Sequence, residues 1–194
     1  MEGMDGLEVT ACERCATLVE SRSRIVNGVG PEDADLLFVG EGPGQREDAE
    51  GEPFVGRSGE VLNEVLRENG LARADVRITN CVRCRPPDNR DPTRQELANC
   101  WGYLEAEIGL VDPRVVVTLG KVPSQHLLGR EVAVTSEAGA IETVDLHGER
   151  RDVLVSVHPA ASLYDRSQRE TLERVIETAA TMTGTGDQST LGAF

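Results

Sequence analysis

The chain has 194 residues, 39% apolar and 28% charged, with 20 basic against 34 acidic side chains and a formal net charge of −14. That length suffices for one domain with a continuous core. No apolar run nears the roughly 20 residues that span a bilayer, and the start MEGMDGLEVTACERC lacks both the basic and the apolar portion of a signal peptide, so a cytoplasmic protein is expected.

Lys121 is the only lysine, and the excess of carboxylates suits a surface kept hydrated in concentrated salt, which points to a halophilic source. A pI near 4.6 argues against a broad nucleic-acid footprint unless basic residues cluster locally.

In chain order, the first feature is Cys12-x2-Cys15. The segment ADLLFVGE (Ala34 to Glu41) then reads as a buried parallel strand. It runs into GEGPGQREDAEGEPFVGRSG (Gly40 to Gly59), which sits where a phosphate loop would but lacks the Lys-Ser/Thr of a Walker loop and any G-x-G-x-x-G. Its glycines and prolines let backbone pass close to a ligand, with Glu41, Glu47, Asp48 and Phe54 directed into the enclosed space; a solvated surface loop is the other reading. A helix follows, with Val61, Leu62, Val65 and Leu66 on one stripe and Gly70 as its stop.

The second strand, Val76 to Asn80, leads into CVRCRPPDNR, which carries Cys81, Cys84 and a cluster of arginines. A Thr93 to Glu96 capping box opens a long helix containing Cys100. The third strand is Arg114 to Gly120, followed by the short helix KVPSQHLLG. The fourth is Asp152 to Pro159, with His158 at its end; His126 and His147 fall in a helix and a loop. A last helix, Arg166 to Thr183, closes a single domain over 1–183, and a polar tail occupies 184–194.

Alternating strands and helices predict a three-layer α/β/α sandwich around a central, mainly parallel four-stranded sheet. Ligands of such sheets bind beyond the carboxyl ends of the strands, where Glu41, Asn80 and His158 stand. Cys-x2-Cys followed by Cys84-x15-Cys100 offers four thiolates for zinc or an iron–sulfur cluster, since disulfides are disfavoured in the cytosol. Cys81 is left over as a small buried hydrophobe.

With these residues in hand, the chain resembles the family 4 uracil-DNA glycosylases, the iron–sulfur branch of their superfamily. The likeness rests on GEGPG, PFVGRSG, ITNCVRCRPPDNRDPT, the Leu119-Gly120 pair and HPAASL, all in order between Cys12 and about Arg174. It implies a [4Fe-4S] cluster on Cys12, Cys15, Cys84 and Cys100, and hydrolysis of the N-glycosidic bond of deoxyuridine after the base is flipped from DNA, in base excision repair. By the same resemblance Phe54 stacks on uracil, the Gly42 backbone contacts it, Asn80 reads its O4 and N3–H, and Glu47 crowds C5 against thymine. His158 donates to O2, and Glu41 faces the sugar and orients the water. Arg83 and Arg85 would grip DNA phosphates, placing a monomeric enzyme at the nucleoid. Two other classes use part of the pattern: an iron–sulfur module that binds DNA or a partner without hydrolysis, and a zinc-stapled nucleotide binder.

The tail QSTLGAF matches the Gln-x-x-aliphatic-x-x-aromatic pattern of peptides that bind a PCNA-type sliding clamp, with Gln188, Leu191 and Phe194 as its three contacts. That pattern points to an archaeal source.

Overall fold

The computed structural model describes residues 3–184. The tail, with Gln188, Leu191 and Phe194, lies outside them. A short hairpin of β1 (Met4–Asp5) and β2 (Glu8–Val9) precedes α1 (Ala16–Ser21). The main body then runs β3 (Leu36–Gly40), α2 (Gln45–Glu50), α3 (Arg57–Glu68), β4 (Arg77–Asn80), α4 (Arg94–Val111), β5 (Val115–Leu119), α5 (Lys121–Leu128), α6 (Val134–Glu137), β6 (Ile141–Leu146), β7 (Glu149–Ser156) and α7 (Arg166–Thr183).

The sheet has the order β4-β3-β5-β7-β6, parallel except for β6. Five strands therefore stand where the sequence pattern gave four. The extra one, IETVDL, pairs antiparallel with β7 at the sheet edge, and its polar alternation reflects that half-exposed position. His147 and Gly148, both at positive φ (59° and 78°), form the two-residue turn of this hairpin, a conformation that matches strand twist. His147 thus has a turn-forming role.

Strand alternation divides the core in two. Leu36, Phe38, Ile78 and Val117 face α3 and α7, whereas Leu37, Val39 and Val116 face α4 and α5. This is the expected three-layer arrangement. The Thr93 capping box is present in both directions, with Glu96 N donating to Thr93 Oγ1 (3.2 Å) and Thr93 N to Glu96 Oε2 (2.7 Å). α7 starts on Asp165, whose carboxylate accepts from Ser167 N at 2.8 Å, and ends at Gly184 in the left-handed region. No helix among the described residues is long and apolar enough to cross a membrane.

Candidate active site

A cleft of about 170 Å³ opens at the carboxyl edge of the sheet, lined by Gly42, Gly44, Glu47, Phe54, Ser58, Asn80 and His158. Register explains part of this convergence: Gly40 lies directly beside Asn80 in the β3–β4 ladder. A Cβ on Gly40 would fall 2.6 Å from the Phe54 ring and would also strike the Asn80 amide, so only glycine leaves room for both site side chains. The sequence places Gly40 at the strand end, opening a loop whose glycines admit close approach, but not that Phe54 and Asn80 are what approach it.

Phe54 sits at φ 53°, an uncommon backbone for an aromatic residue. Arg73 holds it there by donating to the Phe54 carbonyl (3.3 Å) and the Pro53 carbonyl, while Gly59 packs against the same carbonyl with no space for a side chain. The ring ends 5.9 Å from that of His158, tilted by 31°. Glu47 lines the cleft from α2, and its Oε1 accepts from Val55 N (3.2 Å) and Gly56 N (3.1 Å), which fastens the Phe54 turn to α2. Asp48 does not share that space. It is 3% exposed and turned the other way, accepting from Ser23 N and Arg24 N.

His158 Nδ1 accepts the Ala160 backbone N–H at 3.1 Å, so the proton of the neutral ring lies on Nε2. Burial holds its pKa below the usual histidine value, with the charge of Glu47 opposing in part. Glu41 stands at the rim, one residue before the cleft-lining Gly42 and half-buried. Burial first, then the charge of Asp91 and a hydrogen bond to that carboxyl, raise its pKa to about 7. Asp91 was not singled out from the sequence, since nothing in its spacing from Glu41 marks the pair.

Cys12, Cys15, Cys84 and Cys100 line one pocket between α1 and α4, together with Leu18, Val19, Arg22 and Arg83. Arg22 Nη1 donates to Cys84 Sγ at 2.9 Å and Nη2 to the Cys12 carbonyl at 2.7 Å, and Asn99 donates to Cys15 Sγ at 3.3 Å. Among the described residues no three His, Cys, Asp or Glu side chains draw together as a single-ion site. Four thiols line one pocket, a donor set that either a zinc ion or an iron–sulfur cluster takes. Arg83, which also lines that pocket, carries a buried Nε with no hydrogen-bond partner. Burial pushes the Cys84 thiol up and the Cys100 thiol to about 11, so a bound metal would have to displace their protons. Cys81 is fully buried in the core on the α4 side, apart from this pocket.

The arginine expectation needs correction. Arg83 is 2% exposed and donates through Nη2 to Glu107 (2.6 Å), which also accepts from Arg77 Nε (2.8 Å). Its guanidinium is committed to the interior and cannot reach phosphate. Arg85 is half-exposed and bonded to Asn89 Oδ1 at 2.7 Å. Exposed cations do flank the cleft: Arg57 lies between Gly56, which binds Glu47, and the lining residue Ser58, and Lys121 follows Gly120, which abuts His158.

A family model described as the uracil DNA glycosylase superfamily matches residues 27–180. A type-4 uracil-DNA glycosylase of Archaeoglobus fulgidus is 41% identical over 179 residues, covering 89% of each chain. One from Thermotoga maritima is 41% identical over 169 residues, covering 87% of this chain and 85% of its own. A type-5 uracil-DNA glycosylase of Thermus thermophilus reaches 34% over 151 residues, or 62% of this chain. The strand-end cleft, the cysteine pocket and these likenesses agree: the chain belongs to the uracil-DNA glycosylase superfamily and, within it, to the type-4 uracil-DNA glycosylases.

Proposed function

We propose that the chain releases uracil from DNA by hydrolysing the N-glycosidic bond, with the base bound in the strand-end cleft. The observation that carries this reading is the meeting of Phe54, Asn80 and His158 in one cleft, where His158 presents an Nε2–H donor. An apolar ring to stack on, an amide offering both donor and acceptor, and a neutral imidazole donor match the face and edges of a pyrimidine. As the C–N bond breaks, negative charge collects on the base, and His158 donates to O2, where a preorganised donor is worth most. Positive charge develops on the sugar, which the Glu41 carboxylate stabilises while orienting the attacking water. Glu47, already fixed by two backbone donors, stands by the base at C5, and Gly42 offers backbone. Arg57, Lys121 and Arg85 meet the phosphates around the cleft mouth. The direct test is free uracil appearing from a uracil-containing oligonucleotide; a non-catalytic DNA-binding module would retain the oligonucleotide without releasing base.

Glu41 must be ionised to stabilise a cationic sugar. Its raised pKa means that kcat/KM should climb as pH passes through about 7, above any limb set by His158, whose pKa lies lower. Asp91→Asn removes the adjacent negative charge and should move that acid limb to lower pH. A pH profile of kcat/KM for both chains checks this, and an unmoved limb would assign it to another group.

Cys12, Cys15, Cys84 and Cys100 would hold a [4Fe-4S] cluster. When bound it supplies a covalent tie between the segment before α1, the loop after β4, and α4. Cys84→Ala should bleach absorbance near 400 nm and loosen the Arg85 loop, while Cys81→Ala should keep full colour. The opposite pattern would exchange the two cysteines in the ligand set. For the tail, Gln188, Leu191 and Phe194 form a peptide for a PCNA-type sliding clamp, a reading supported by the sequence pattern and by the gain in local concentration that tethering to DNA gives a repair enzyme.

A further inference from the structure

The segment that leaves α1 touches the cysteine pocket on one side and the uracil cleft's support on the other. Toward the pocket, Arg22 donates to Cys84 Sγ (2.9 Å) and to the Cys12 carbonyl (2.7 Å), and Val26 N donates to the Arg83 carbonyl (2.8 Å). Toward the cleft, Ser23 N donates to both Asp48 oxygens at 2.9 Å and Arg24 N to Asp48 Oδ1 at 3.3 Å. The Arg24 side chain also packs over Gly51 at the other end of α2, where a Cβ would lie 3.2 Å from it. Asp48 is the neighbour of Glu47, and Glu47 holds the Phe54 turn through Val55 N and Gly56 N. α2 is only six residues long and its Gly44 N-cap makes no side-chain capping bond, so its position depends on such external ties.

We propose that Asp48 is a positioning residue for the uracil cleft: it locks α2 to the segment anchored on the cysteine pocket, and so fixes Glu47 and Phe54 against the base. A carboxylate that accepts several backbone donors while 3% exposed is a strong local tie, because its loss strands those N–H groups away from water. The cysteine pocket then acts on the chemistry without touching it, by keeping residues 22–26 in place. This rests on the reading of the cleft as the uracil site.

The test compares wild type with Asp48→Ala and Asp48→Asn, measuring absorbance near 400 nm per chain, inhibition by free uracil and by thymine, and KM against kcat. Expected are unchanged absorbance, uracil inhibition weakened about tenfold or more, a larger effect on KM than on kcat, and a smaller gap between uracil and thymine as Glu47 drifts. Leu172→Ala, which opens a hole in the core beneath α7, serves as the control for lost stability alone; it should leave the uracil-to-thymine ratio untouched. Should Asp48→Ala fail to fold, Asp48→Asn, which keeps one acceptor oxygen, reports the same ratio. Wild-type uracil inhibition in the Asp48 variants, or a loss no larger than that of Leu172→Ala, would overturn the proposal. A wild-type chain that released no uracil would instead overturn the reading of the cleft.

Discussion

His158→Ala is expected to slow uracil release by about two orders of magnitude or more, the scale of removing one preorganised donor from a developing anion. Fold and visible absorbance should stay intact. The size of the effect follows from how little freedom the ring has. Its Nδ1 is occupied by the Ala160 N–H, Gly120 backs its Cβ, and burial disfavours the imidazolium, so the side chain offers one neutral Nε2–H toward the cleft. Protonation would cost the Ala160 hydrogen bond as well as desolvation, and both disfavour the imidazolium. Single-turnover release from a short oligonucleotide isolates the chemical step, since product dissociation is then excluded. Turnover equal to wild type would remove His158 from the reaction.

Strand periodicity and strand-end residues made most of this site readable. Asn80 and His158 end or follow buried strands, and Glu47 and Phe54 fall in the segment between the first strand and the helix after it, places that a parallel sheet brings together; Gly42 came from the family resemblance. That Cys12, Cys15, Cys84 and Cys100 share one pocket was readable by spacing and resemblance, and the burial of Cys81 by its place at the end of a buried strand. What escaped depends on side-chain direction. Glu47 and Asp48 are adjacent and both acidic, yet on a short helix they face opposite ways, one to the cleft and one to Ser23. Asp91 meets Glu41 only because the Pro86 to Pro92 loop folds back over Gly42, where Pro92 approaches within 3.9 Å of a Cβ position. β6 was missed because an edge strand with one polar face resembles a loop in composition. Arg83 looked like a DNA contact because it stands among exposed-looking arginines; nothing local to it reveals a buried carboxylate 24 residues away.

That carboxylate carries the largest expected stability effect. Glu107 is fully buried and accepts from Arg77 Nε through Oε1 and from Arg83 Nη2 through Oε2, while Arg77 also donates to the Gly28 and Gly30 carbonyls. One negative charge thus serves two buried guanidiniums from β4 and the loop after it. Glu107→Ala leaves both without their anion in a site that water does not reach, and breaking such a pair costs about 3 to 5 kcal/mol. For a chain of this length that corresponds to a melting temperature lower by roughly 6 to 20 °C. Because Arg83 immediately precedes Cys84, the same variant should also lose any absorbance near 400 nm on mild heating before global unfolding. Salt gives the deciding comparison. Arg169 on α7 pairs with Glu64, Glu68 and Glu173, all partly exposed, so Arg169→Ala should cost about 0 to 1 kcal/mol and less as salt rises. The Glu107→Ala loss should persist unchanged at high salt, because no counterion can replace a buried carboxylate between two arginines. A loss that salt erased would mean that water reaches the pair and that Arg83 is free to face the surface after all.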